Sequence, residues 1–211
     1  MRLKIFGVAR LIRAIFQLIG RNSYLSKRGF WTSFLVEPGE HLKPGCVPWF
    51  SYPAIDFLDR IPLSGKNVFE YGSGGSTFYF QAKGARVHSV DHNEQWAIVV
   101  NRMGGNCIYC PANDAYVKSL HTVDVEQFDL ILVDGISRDE CAEEALLKLR
   151  SGGIVVLDDY HRYDEHFLNG YGSSFGSVMY FQGLGPFSVR TQRTAVFSNF
   201  SPPGRNVDNE L

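Results

Sequence analysis

The chain has 211 residues, of which 45% are hydrophobic and 20% charged, with a formal net charge of -1. That is enough apolar material for one well-filled domain with extensions, and no overall charge that would pull it onto nucleic acid. The charge is nevertheless uneven: Arg2, Lys4, Arg10, Arg13, Arg21, Lys27 and Arg28 all precede the first acid, Glu37.

The first element in chain order is a helix. Ile5, Val8, Ile12, Ile15 and Ile19 recur at helical spacing, and Gly20 and Asn22 mark its end. Arg10 and Arg13 make the run too short and too charged to cross a bilayer or to serve as a signal peptide. Two readings are open: a helix packed on the domain or on a partner subunit, or a basic helix lying in a membrane interface. Residues 33–53, rich in Pro and Gly, predict an irregular linker with an aromatic tip at Trp49-Phe50, so 1–45 reads as helix plus linker.

From Ala54–Arg60, a short helix, the chain enters a core domain spanning 46–200. Strands are predicted at Lys66–Glu70, Ala85–Val90, Asn106–Cys110, Phe128–Val133 and Ile154–Leu157. Helices fall between them at Ser76–Lys83, Glu94–Met103 and Arg138–Arg150, the last stopping at Ser151-Gly152-Gly153. This alternation calls for a parallel sheet covered on both faces, a three-layer αβα sandwich. Val178–Gln182 and Thr194–Ser198 then read as an antiparallel hairpin, and 201–211 as a loose polar tail. The stretch Tyr160–Phe175 is long for a loop after a strand and carries Tyr163, Phe167, Tyr171 and Phe175, a pattern expected of a lid or acceptor pocket. Cys46, Cys107, Cys110 and Cys141 form no disulfide framework, and the lone Cys107-x-x-Cys110 pair reads as plain thiols.

The most informative segment is Val68-Phe69-Glu70-Tyr71-Gly72-Ser73-Gly74-Gly75-Ser76-Thr77. Strand, glycine turn and helix in that order bring bare backbone against a nucleotide-like ligand, and Gly72 and Gly74 allow approach that a side chain would block. Glu70 places a negative charge at the mouth of this turn, which disfavours a pyrophosphate and suits a cationic or hydroxyl-rich ligand. Ligands bind beyond the carboxyl ends of such strands, and Glu70, Asp91, Asp134, Asp158 and Asp159 all stand there. Asp91, after the second strand, is placed to accept the hydroxyls of a ribose; Asp114, after the third, either faces an adenine amino group or caps a helix. Trp96 is either an adenine wall or a core residue.

Glu70-x-Gly72-x-Gly74, the acid after the next strand, Phe128–Gly135 and Gly152–Asp159 together resemble a class I S-adenosylmethionine-dependent methyltransferase over roughly residues 50–200. The resemblance implies a Rossmann-like, seven-stranded sheet of order 3-2-1-4-5-7-6 with an antiparallel last strand, bearing on Val178–Gln182 and Thr194–Ser198. It also implies a donor site of Glu70, Gly72, Ser73, Gly74, Asp91, Asp114 and Asp134. A nicotinamide enzyme is the weaker match, because Thr77 stands where its third glycine would be and Glu70 would face the pyrophosphate. A domain that binds the donor without catalysis is the other alternative.

At the acceptor end, Asp134, Asp158 and Asp159 are similar to the acids that hold a divalent cation such as Mg2+ in catechol-type O-methyltransferases. The chain departs from that pattern: Asp159 replaces an Asn, and Ser137 and Arg138 stand where the family's basic lysine would be. Without a metal, Asp134, Asp159 or His161 is the expected base. Arg138 and Arg162 could bind an acidic acceptor or neutralise the carboxylates. The expectation is O-methylation of a small-molecule or glycan-like acceptor, no nucleic-acid partner, and a cytoplasmic protein, peripheral at the inner membrane face if the first helix docks there.

Overall fold

The computed structural model of the chain describes residues 2–36, 42–43 and 46–198. The tail expected at 201–211 and part of the expected linker lie outside the described residues.

Helix α1 (Arg2–Ile19) is followed by two single-turn helices, α2 (Tyr24–Lys27) and α3 (Phe30–Ser33). Helix α4 (Tyr52–Leu58) leads into the alternating region: β1 (Asn67–Tyr71), α5 (Gly75–Ala82), β2 (Arg86–Asp91), α6 (Glu94–Arg102), β3 (Cys107–Tyr109), α7 (Asp114–Val117), β4 (Phe128–Val133), α8 (Arg138–Lys148) and β5 (Leu149–Asp158). A 3-10 turn at Tyr160–Arg162, helix α9 (Glu165–Gly172) and the strands β6 (Ser177–Gly185) and β7 (Ser188–Ser198) complete it. The seven strands form one sheet in the order β3-β2-β1-β4-β5-β7-β6. All pairings from β3 to β5 are parallel, whereas β7 runs antiparallel to both β5 and β6.

Period-two alternation sorts the sheet into two apolar faces. Phe69, Tyr71, Ile131, Val133, Val155, Leu157 and Phe197 pack on one side with Cys141, Ala142 and Ala145 of α8. Val68, Leu130, Leu132, Ile154, Val156 and Val196 pack on the other with α4 and with Tyr79 and Phe80 of α5. This parity positions the site: Glu70 shares the face of Val68 and therefore lies under α5, the helix that the glycine turn begins.

Three differences from the sequence reading have local causes. The glycines at 152 and 153 do not end the element before β5; the strand starts at Leu149, paired with Phe128, and an irregularity between Phe128 and Leu130 absorbs the positive φ of 75° at Gly152. The stretch after β5 is helical, not a loop. Tyr163, Phe167, Tyr171 and Phe175 are spaced every fourth residue, the interval of one helix face, and they form a ladder with ring centroids 5.7, 5.5 and 5.3 Å apart. Asp164 caps α9, its side chain accepting from the His166 amide at 2.8 Å, and Tyr171 donates to the Ala142 carbonyl of α8 at 2.9 Å. Finally, Phe50 is no exposed tip. It is buried in the core beside Phe30 and Tyr52, and Arg28 pairs with Asp56 and Asp59 of the α4 region. The packed body thus reaches back across the boundary expected near residue 45.

Candidate functional site

The carboxyl edge of the sheet carries the cluster that the sequence pointed to. Gly72 has φ 94° and Gly74 φ 153°, and a Cβ on Gly72 would stand 2.9 Å from the Asp134 carbonyl oxygen, so the turn needs glycine there both for its conformation and for its approach to the end of β4. Glu70 is fully buried. Its Oε2 accepts from the Thr77 hydroxyl at 2.6 Å, and Thr77 Oγ1 in turn accepts from the Gly74 amide at 3.1 Å. Glu70 Oε1 has no partner in the fold, an orphaned acceptor at the base of the turn. Burial pushes this carboxyl up to about 8, against the opposing pull of the Thr77 hydrogen bond.

Asp91 ties the turn to the end of β2. Its Oδ2 accepts from the Ser73 amide and hydroxyl at 3.1 and 2.9 Å, and its Oδ1 accepts from the Asn93 amide at 2.9 Å. Trp96 resolves toward the site: its indole Nε1 donates to the Ser73 carbonyl at 2.8 Å, and its ring lies 3.6 Å from a Cβ built on Gly74. A cavity of about 260 Å³ opens here, lined by Trp49, Phe50, Ser73, Gly74, Gly75, Ser76, Trp96 and Asp134. Trp49 and Phe50 belong to the segment before α4, which is strapped over the turn by the Cys46 thiol donating to the Gly75 carbonyl at 3.2 Å.

Of the expected donor-site residues, Ser73, Gly74 and Asp134 line this cavity, while Glu70, Gly72 and Asp91 form the framework around it. Asp114 is separate: it is exposed at the start of α7, and the capping role falls to Asn113, whose side chain accepts from the Ala115 amide at 2.9 Å. Thr77, Trp49 and Phe50 were missed. Thr77 sits seven residues beyond Glu70, across a strand, turn and helix start that bring it back over the carboxylate; for the two aromatics, only an arm folding back could have shown it.

The acceptor end is organised around Arg138. Its Nη2 donates to Asp134 Oδ1 at 2.9 Å, its Nε to the Gly135 carbonyl at 3.0 Å and its Nη1 to the Asp158 carbonyl. Asp158 is buried and turns sideways in the sheet, accepting from Thr194 of β7 at 2.8 Å. The expected divalent-metal trio of Asp134, Asp158 and Asp159 finds no support: among the described residues, no group of three or more His, Cys, Asp or Glu side chains is placed to hold a metal ion. One acid is committed to Thr194, and a fixed guanidinium already balances another. Burial raises the Asp134 carboxyl to about 6, with Arg138 pulling down and Asp159 pushing up. Burial, and then the charge of Asp134, likewise raises Asp158. Asp159, at φ 49°, and His161 lie in the turn after β5, with His161 Nδ1 3.9 Å from Asp159 Oδ1; neither lines the cavity. Arg162 stays local, 3.5 Å from Asp159. Cys107 is buried, which pushes its thiol up to about 11, and all four cysteines are free.

No family model matches the chain, and no curated protein matches it in sequence. Solved structures do match. A methyltransferase-like protein from Silicibacter pomeroyi is 20% identical, with a TM-score of 0.51 over 77% of this chain and 93% of that one. The fold is that of class I methyltransferases. The Thermus thermophilus 16S rRNA N2 G1207 methyltransferase, in complex with AdoMet and guanosine, is 15% identical, with a TM-score of 0.51 over 74% of this chain and 44% of its own. The precorrin 8w decarboxylase of Methanobacterium thermoautotrophicum is 16% identical, with a TM-score of 0.50 over 77% of this chain and 98% of its own. The same architecture thus serves more than one reaction, and the chemistry has to be argued from the site.

Proposed function

We propose that this chain is an S-adenosylmethionine-dependent methyltransferase. The observation that carries the reading is the orphaned Glu70 Oε1, buried under a glycine turn that opens on a cavity walled by Trp49 and Trp96. A buried carboxylic acid with a free acceptor suits a ligand that brings its own positive charge, such as the ammonium of the donor's methionine part. Asp91 would take a ribose hydroxyl with the Oδ1 lone pair that Ser73 and Asn93 leave free. Trp96 and Trp49 offer faces for the adenine and the sulfonium. Asp114 is the proposed contact to the adenine edge, reached from the start of α7.

The sulfonium is already activated, so the remaining task is to orient the acceptor and remove its proton. Asp134 reaches the cavity, and its raised carboxyl is a better proton acceptor near neutral pH than an ordinary one. Asp159 and His161, at the neighbouring strand end, are the proposed relay outward. This favours a hydroxyl acceptor on a small molecule or glycan-like group. Arg138 would keep Asp134 oriented and supply fixed positive charge beside it.

Calorimetric titration with S-adenosylmethionine and with S-adenosylhomocysteine tests the donor assignment. Micromolar binding of either is expected, weakened about tenfold or more in Asp91→Ala. Absence of binding by both ligands defeats the reading. Turnover of labelled donor against hydroxylated small molecules, glycans and RNA then identifies the acceptor class; methylation of RNA alone would overturn the small-molecule assignment.

A further inference from the structure

From Gly7 onward, helix α1 stands out from the packed body. Every residue from Gly7 to Ile19 is exposed. Val8, Leu11, Ile12, Ile15, Phe16 and Ile19 each show between 49 and 68% of their surface to solvent. At 100° per residue these six fall on one arc of the helix, and Arg10, Arg13 and Gln17 fall on the opposite one. A contiguous apolar face of this kind on a monomeric protein marks an interaction surface. It does not stand alone: Trp31, Phe34 and Leu35, in and just after α3, are also exposed, Leu35 by 84%.

Charge selects the occupant. The sequence brings seven cations before its first acid, and of the five whose side chains are described, Arg10, Arg13, Arg21, Lys27 and Arg28, only Arg28 is in an ion pair, with Asp56 and Asp59. A second copy pairing through α1 would cover the apolar arc but leave the arginines of the opposite arc unmatched, since α1 carries no acidic residue to meet them. An anionic lipid surface satisfies both faces at once: the apolar arc enters the acyl boundary, and the arginines meet the headgroups. No described helix is long and apolar enough to cross a membrane, which fits a helix that lies in the interface plane.

We infer that α1 is a membrane-docking helix that holds this protein on anionic phospholipid, independently of what the carboxyl-edge site binds. The arm that follows it leads straight to the cavity: Ser33, at the end of α3, accepts from the Phe187 amide at 3.0 Å, and the Phe187 ring lies 5.2 Å from that of the cavity residue Trp49.

Flotation of the full-length chain with vesicles tests this, comparing phosphatidylcholine alone with phosphatidylcholine mixed with phosphatidylserine. The chain is expected to float with the anionic vesicles and to be released by salt. Arg10→Gln/Arg13→Gln should weaken binding about 25-fold, at roughly fivefold per cation, and Ile12→Asp/Ile15→Asp should abolish it. Both variants should melt where the parent does, because these side chains pack on nothing. Failure to float with anionic vesicles overturns the proposal, as does binding that the Ile12→Asp/Ile15→Asp variant retains. A dimer that the same variant dissociates, with no vesicle binding by the parent, would assign the face to a second copy instead.

Discussion

The two halves of the carboxyl edge treat their acids in opposite ways. At the β1–β2 end, Glu70 and Asp91 are held by hydroxyls and backbone amides, and one Glu70 oxygen is left without a partner. At the β4–β5 end, Asp134 and Asp158 are committed to Arg138 and Thr194. Unmet hydrogen-bonding capacity marks one end and balanced charge the other; under the proposed function the first receives the cationic part of the donor and the second organises neighbouring groups. The lesson is that a row of acids along one edge is not a single site; what matters is which of their lone pairs the fold has already used.

The contrast can be broken most severely at the turn itself. Gly72→Ala adds a Cβ against the Asp134 carbonyl at a positive φ, and should cost about 3 kcal/mol in urea unfolding while abolishing donor binding. Next, Glu70→Ala should weaken S-adenosylmethionine binding about 100-fold, with Glu70→Gln intermediate; equal affinity in all three proteins would remove Glu70 from the ligand. Arg138→Met should destabilise the chain by about 2 kcal/mol and push the Asp134 carboxyl higher still, seen as an upward-shifted titration by NMR. An unshifted Asp134 would show that the guanidinium does not govern that end. Asp114→Ala, on an exposed helix start, should be the mildest: unchanged melting and about a fivefold loss of donor affinity.

The pH dependence sharpens the same comparison. The Glu70 carboxyl is raised, so between the ordinary carboxylate range and about 8 the folded chain keeps a proton that the unfolded chain has released. That contribution to stability is complete at low pH and is lost as pH rises through about 8. Glu70→Gln should flatten part of this decline, the rest belonging to Asp134 and Asp158, which are raised as well. A cationic ligand that ionises Glu70 should also expel its proton. Calorimetry at pH 6.5 in buffers of different ionisation enthalpy should then detect release of up to about one proton, absent in Glu70→Gln.

Local patterns carried much of this into the sequence. Strand β4 was legible to its end residues, Phe128 and Val133, because a run of apolar residues bounded by polar turns allows few other readings. The glycine turn was legible because chain direction and glycine placement are both local. Asp158 was not: its partner Thr194 lies 36 residues further on, opposite it only because β7 inserts antiparallel beside β5. The antiparallel hairpin was visible, but which of its side chains would face which acid depended on a register no local signal records. The stretch from Tyr163 to Phe175 reads as a loop because its glycines and serines disfavour a helix, although its aromatic spacing is helical.

The bond from the Phe187 amide to the Ser33 hydroxyl joins residues 154 positions apart. Closing so long a stretch of chain is entropically slow to compensate, so the arm should settle after the sheet has formed and open before the sheet gives way. Exchange of the Phe187 amide with deuterated solvent would then time the arm's detachment by itself, with the amides of β4 as the slow reference.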